Sequence, residues 1–80
     1  MTIKIYSTPY CVYCKMAKDF FTKKGLPYEE IDVSGNEAAL QEMVNKSHQL
    51  GVPVIEIDGN IFVGFNRTEI EKTLENLDLK

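Results

Sequence analysis

Ile3-Lys4-Ile5-Tyr6-Ser7-Thr8-Pro9-Tyr10-Cys11-Val12-Tyr13-Cys14 is the stretch on which the fold turns. Its first five residues alternate apolar and polar side chains, the two-residue period of a strand. Thr8-Pro9-Tyr10 breaks that period. From Val12 onward the period lengthens: Val12, Met16, Ala17, Phe20 and Phe21 recur at helical spacing, with Lys15, Lys18, Lys23 and Lys24 on the other side. Gly25 is placed to cap the helix, and Pro27 stands two residues beyond it. A strand therefore runs almost directly into a helix, and two cysteines sit at the junction.

Working outward, Tyr28-Glu29-Glu30-Ile31-Asp32-Val33 reads as a second strand. Ser34 and Glu37 have the spacing of a capping box for a second helix, on one face of which Leu40, Met43, Val44 and Ser47 follow. Val52-Pro53-Val54-Ile55-Glu56-Ile57 reads as a third strand, and Asp58-Gly59-Asn60 turns it into Ile61-Phe62-Val63. The last helix starts at Asn66, whose side chain can cap the amide of Glu69, with Phe65 and Ile70 at the staple positions. Ile70, Leu74 and Leu77 form its apolar stripe. The order β-α-β-α-β-β-α implies an α/β domain spanning residues 1–80: a parallel βαβ unit followed by a hairpin and a helix, in a mixed four-stranded sheet flanked by three helices.

Composition narrows the function. The 80 residues are 44% hydrophobic and 26% charged, which excludes a disordered chain. Nine basic against twelve acidic residues leave a net charge of −3, the wrong sign for nucleic acid or an anionic membrane. No apolar run approaches the roughly 20 residues of a membrane span. The N-terminus lacks the apolar stretch and cleavage site of a signal peptide, so a cytoplasmic location is expected; the chain is also expected to be a monomer.

Cys11 and Cys14 are the only two cysteines. Structural zinc needs about four ligands, and His48, far along the chain, is the only histidine. No metal is expected. A purely structural disulfide closing so short a loop gains little, and the cytosol would keep it reduced. Redox chemistry fits better. At a helix start, free amides and the helix dipole favour a thiolate at Cys11, helped by Lys15 and Lys18. Cys11 is expected to have a lowered pKa and to attack; Cys14, one turn on and more enclosed, to resolve. Pro53 adds a second signal. Proline donates no ladder hydrogen bond, and a cis Val52–Pro53 bond in a loop before the strand would expose the Val52 backbone to an extended peptide. Gly64, before the Asn66 cap, allows close backbone approach, and the helix start behind it offers amides to a carboxylate.

With Cys11-Val12-Tyr13-Cys14, Val52-Pro53 and Gly64 in this order, the sequence resembles the glutaredoxins over essentially its whole length. The resemblance implies a thioredoxin-like fold with strand order 2-1-3-4 and the third strand antiparallel. It also implies a dithiol–disulfide oxidoreductase, with Cys11 as nucleophile and Cys14 as resolving thiol. Glutathione would be its co-substrate, and disulfide-containing proteins its partners. Tyr13, Val52, Pro53, Gly64, Phe65 and Asn66 match the family's glutathione contacts. Several positions depart from the family pattern: Val12 replaces the motif proline, Gly51 the threonine before Val-Pro, Phe65 the second glycine of a pair, and Thr8 a basic residue. Val12 and Gly64-Phe65 look more like the glutaredoxin-like electron donors of ribonucleotide reductase, which are recycled by thioredoxin reductase and bind glutathione poorly. A [2Fe–2S] cluster held between two subunits by Cys11 and glutathione is a further alternative.

Overall fold

Strand β1 (Ile3–Ser7) is flanked on both sides in the computed structural model, which describes residues 1–78. Strand β2 (Glu29–Asp32) pairs with it in parallel, and β3 (Val54–Ile57) pairs with its other edge antiparallel. Strand β4 (Asn60–Val63) continues the sheet antiparallel to β3, giving the order β2-β1-β3-β4. This is the thioredoxin-like arrangement that the resemblance implied.

The sheet is covered on both faces. Ile3, Ile5, Ile55 and Ile57 point towards helices α1 (Val12–Lys23) and α3 (Arg67–Asp78), where Ala17, Phe20, Phe21, Ile70 and Leu74 complete the larger core. Tyr6, Val33 and Val54 point the other way, onto Ala39 and Met43 of helix α2 (Glu37–Ser47). Tyr6 is thus fully buried although it occupies the polar phase of β1, because a central strand with helices on both sides has no solvent face.

Helix α1 ends as its sequence requires. Gly25 has φ +70°, its amide bonds the Thr22 carbonyl at 3.0 Å, and the Leu26 amide bonds that of Phe21 at 3.0 Å. This double closure needs a left-handed residue, which glycine supplies without a Cβ penalty. The inward face of α1 is centred on Cys14, Ala17, Phe20 and Phe21. Val12 and Met16, expected on that face, are exposed, since at 100° per residue they fall outside the arc those four define.

Boundaries also differ from expectation: β2 is one residue shorter at each end, and α2 and β3 start elsewhere. The cap of α2 is Asn36, whose side chain accepts from the Ala39 amide at 3.1 Å. Ser34 instead bonds Asp32 through both its amide (2.9 Å) and its hydroxyl (2.6 Å). Strand β3 begins at Val54 rather than Val52, because Pro53 has no amide to enter the ladder. The turn into β4 has Asp58 at φ 45° and Gly59 at φ 88°, the two left-handed residues of a tight hairpin. Helix α3 is capped by Asn66, which accepts from the Glu69 amide at 3.3 Å.

Candidate active site

The C-terminal end of β1 delivers the chain to the start of α1, and Cys11 is the N-cap of that helix. Its Sγ accepts a hydrogen bond from the Cys14 amide at 3.1 Å, the position normally taken by a serine or aspartate oxygen. The sulfur therefore occupies the place where the free amides and the dipole of α1 favour negative charge. Cys11 and Cys14 are joined as a disulfide, with Cα atoms 5.1 Å apart. The pair is asymmetric: Cys11 is part-exposed, whereas Cys14 is 1% exposed. Among the described residues no three His, Cys, Asp or Glu side chains gather as a metal ion would require.

Around the pair the fold assembles residues distant in sequence. The Val52–Pro53 peptide is cis, and the Pro53 carbonyl accepts from the Gly64 amide at 2.8 Å. That bond ties the loop before β3 to the end of β4, where Gly64 has φ +79°. A groove of about 510 Å³ lies alongside, walled by Tyr13, Val52, Pro53 and the segment Val63 to Thr68. All six residues singled out for a small thiol, namely Tyr13, Val52, Pro53, Gly64, Phe65 and Asn66, line this one groove. Phe65 also packs edge-on against Phe20, with ring centroids 5.6 Å apart, so it belongs to both core and groove wall.

Three features escape a reading of the sequence. Gln49 holds the loop that leads to Pro53, its side chain accepting from the Gly51 amide at 2.6 Å and donating to the Gly51 carbonyl at 3.0 Å. A side chain at position 51 would meet the Gln49 Oε1 at 2.7 Å, so glycine and glutamine fit as a pair. The second feature ties α1 to strands β1 and β2. Ser7, 1% exposed, donates its hydroxyl to Glu30 Oε2 at 2.9 Å, and Lys18 Nζ donates to the same oxygen at 2.7 Å. The bond from Lys18 first, and that from Ser7 second, hold the Glu30 carboxyl below its usual range, and the same Glu30 carboxylate holds the Lys18 ammonium above its own. The third is the exposure of large apolar side chains close to Cys11 in sequence, Tyr10, Val12 and Met16. Only the helical offset of Lys18 from Cys14 hints at the second feature in the sequence; the partners Ser7 and Glu30 come from other strands. His48 is exposed and ends α2 in the left-handed conformation at φ 62°.

Known proteins are similar to this chain in sequence and in fold. A family model described as glutaredoxin matches residues 3–62. An uncharacterized glutaredoxin-like 8.6 kDa protein in the rubredoxin operon of Clostridium pasteurianum is 48% identical over 73 residues, covering 91% of this chain and 97% of that protein. Glutaredoxin 3 of Escherichia coli is 38% identical over 56 residues, covering 70% of this chain and 68% of that one. Among solved structures, the glutaredoxin-like protein NrdH-redoxin from Escherichia coli, described as having a thioredoxin-like activity profile, superposes with a TM-score of 0.80 at 25% identity. That match covers 90% of this chain and 93% of the other.

Proposed function

Because this chain belongs to the glutaredoxin family, with the thioredoxin-like fold and the C-x-x-C pair of a thiol–disulfide oxidoreductase, we propose that it reduces protein disulfides and glutathione mixed disulfides through Cys11 and Cys14. The observation that carries the reading is the asymmetry of the pair: a part-exposed sulfur on a helix N-terminus and a buried one a turn later.

The reaction divides into two displacements. In the reduced protein the Cys11 thiolate attacks one sulfur of the substrate disulfide; a Cys11–substrate disulfide forms and the other substrate sulfur leaves as a thiolate. Cys14 then gives up its proton and attacks the Cys11 sulfur, closing the internal disulfide and releasing the second substrate thiolate. Two electrons pass from the protein to the substrate. Reopening the Cys11–Cys14 bond takes two electrons from a low-molecular-weight thiol, or from a dithiol reductase supplied by NADPH. The amide of Cys14 supports the first step by donating to the charged sulfur before attack, which lowers its proton affinity. In this reading glutathione lies in the groove at Tyr13, Val52, Pro53, Gly64, Phe65 and Asn66, the family's contacts, and the protein works in the cytoplasm.

A second reading has its own support. NrdH-redoxin is a structural neighbour, and Phe65 lines the groove where the family pattern has a glycine. Under it the protein donates electrons to ribonucleotide reductase and is recycled by thioredoxin reductase. An NADPH-coupled assay decides between the two. Turnover with glutathione and glutathione reductase supports the first; turnover only with thioredoxin reductase supports the second. Neither reductant reopening the Cys11–Cys14 bond would contradict both. In either case Cys11→Ser is expected to abolish activity. Cys14→Ser should accumulate the Cys11–substrate disulfide, visible by mass spectrometry.

A further inference from the structure

Beyond the groove beside the cysteines, a second one of about 360 Å³ opens between α1 and α3. The two share Phe65 and Arg67, so a chain leaving the first groove meets the second directly. Its floor is aromatic: Phe20 and Phe65 pack edge to face there. Its rim is cationic. Lys24 Nζ stands 5.1 Å and the Arg67 guanidinium 5.5 Å from the Phe20 ring centroid, and Lys23 also lines the groove.

The charges do not cancel. Arg67 is bonded to Glu71 at 3.1 Å, and Asp19 lies on the rim, but Lys23 and Lys24 have no ion-pair partner among the described residues. On a protein of net charge −3 this is a local reversal of sign. Resting on the disulfide-reductase reading above, we propose that the second groove docks an acidic segment of the disulfide-bearing protein substrate. The segment would place aspartate or glutamate near Lys23 and Lys24 while its cysteine is joined to Cys11. Phe20 lies nine residues along α1 from Cys11, about 13 Å at 1.5 Å per residue. An extended peptide advances about 3.3 Å per residue, so the acidic side chain belongs about four residues from the substrate cysteine.

The experiment compares reduction of mixed-disulfide peptides carrying aspartate, asparagine or lysine four residues to either side of the cysteine. A small uncharged disulfide serves as the reference substrate. Wild-type protein is expected to prefer the aspartate peptide over the lysine peptide by roughly fivefold in kcat/KM at low ionic strength, a preference that fades towards 0.5 M salt. The variant K23Q/K24Q, altered only at the far end of α1, should lose the preference and keep full turnover of the small disulfide. Equal kcat/KM across the peptides, or a preference that survives in K23Q/K24Q, would overturn the docking proposal alone. Failure to reduce even the small disulfide would instead overturn the reductase reading and the docking proposal with it.

Discussion

Glu30 receives two hydrogen bonds on one oxygen, from Lys18 and from Ser7, and so links α1, β1 and β2 through a single carboxylate. Its carboxyl titrates below the ordinary value of 4.5, first because of Lys18 and then because of Ser7. A depressed carboxylate contributes stability above its unfolded pKa and loses it as pH falls through the folded one. Wild-type protein should therefore exceed Glu30→Gln in stability at pH 7. That advantage should shrink below about pH 4.5. Since the Glu30 side chain is 42% exposed, the difference at pH 7 is expected to be no more than about 1 kcal/mol. Thermal melts of the two proteins from pH 3 to pH 7 measure it, and an advantage that grows towards acid would reverse the sign argued here. The cysteines, Pro53 and Gly64 were legible as candidate site residues because each announces itself by type and local spacing. Glu30, Ser7 and Gln49 were not, because what they do depends on partners that only the folded backbone supplies.

The elements themselves were legible wherever a period and a cap agree, as in α1, whose closure at Gly25 follows the expected pattern. The start of α2 was harder, since Ser34 and Asn36 are both capping residues two positions apart. The turn at Gly35, with φ +67°, leaves Ser34 bonded to Asp32 and makes Asn36 the cap. Nor does the pattern give the cross-link between α2 and the sheet. Lys46 Nζ bonds Glu56 at 2.7 Å and the Tyr6 hydroxyl at 3.1 Å, forty residues away in sequence. Those contacts, Glu56 foremost, raise the Lys46 pKa above its ordinary value. Removing the ammonium leaves the Glu56 carboxylate, only 15% exposed, and the buried Tyr6 hydroxyl without their donor. Lys46→Ala is accordingly expected to cost about 1–3 kcal/mol in urea denaturation. Glu42→Ala, which removes a partner 46% exposed, should cost less than about 1 kcal/mol. Equal costs would contradict the assignment of the cross-link's stability to the Glu56 and Tyr6 contacts.

At the scale of the molecule, two small cores on opposite faces of one sheet hold the cysteine junction in place. The order β2-β1-β3-β4 followed from the family resemblance; alternation alone does not reveal which strands pair across the sheet. Phe21 is fully buried in the larger core, one helix with the cysteines. Phe21→Ala is expected to cost about 3–5 kcal/mol, a large share of the 5–15 kcal/mol typical of a whole domain. Loss of the cooperative thermal transition at moderate temperature would register it. The assembled fold serves one end: an accessible sulfur at the amino terminus of α1 with its partner sealed beneath. Alkylation of the fully reduced protein across pH, with each cysteine quantified by mass spectrometry, tests that most directly. Cys11 should react first, with a midpoint well below the 8.5 or so of a free thiol, while Cys14 stays protected. Reaction at Cys14 first, or a Cys11 midpoint at or above about 8.5, would contradict the account.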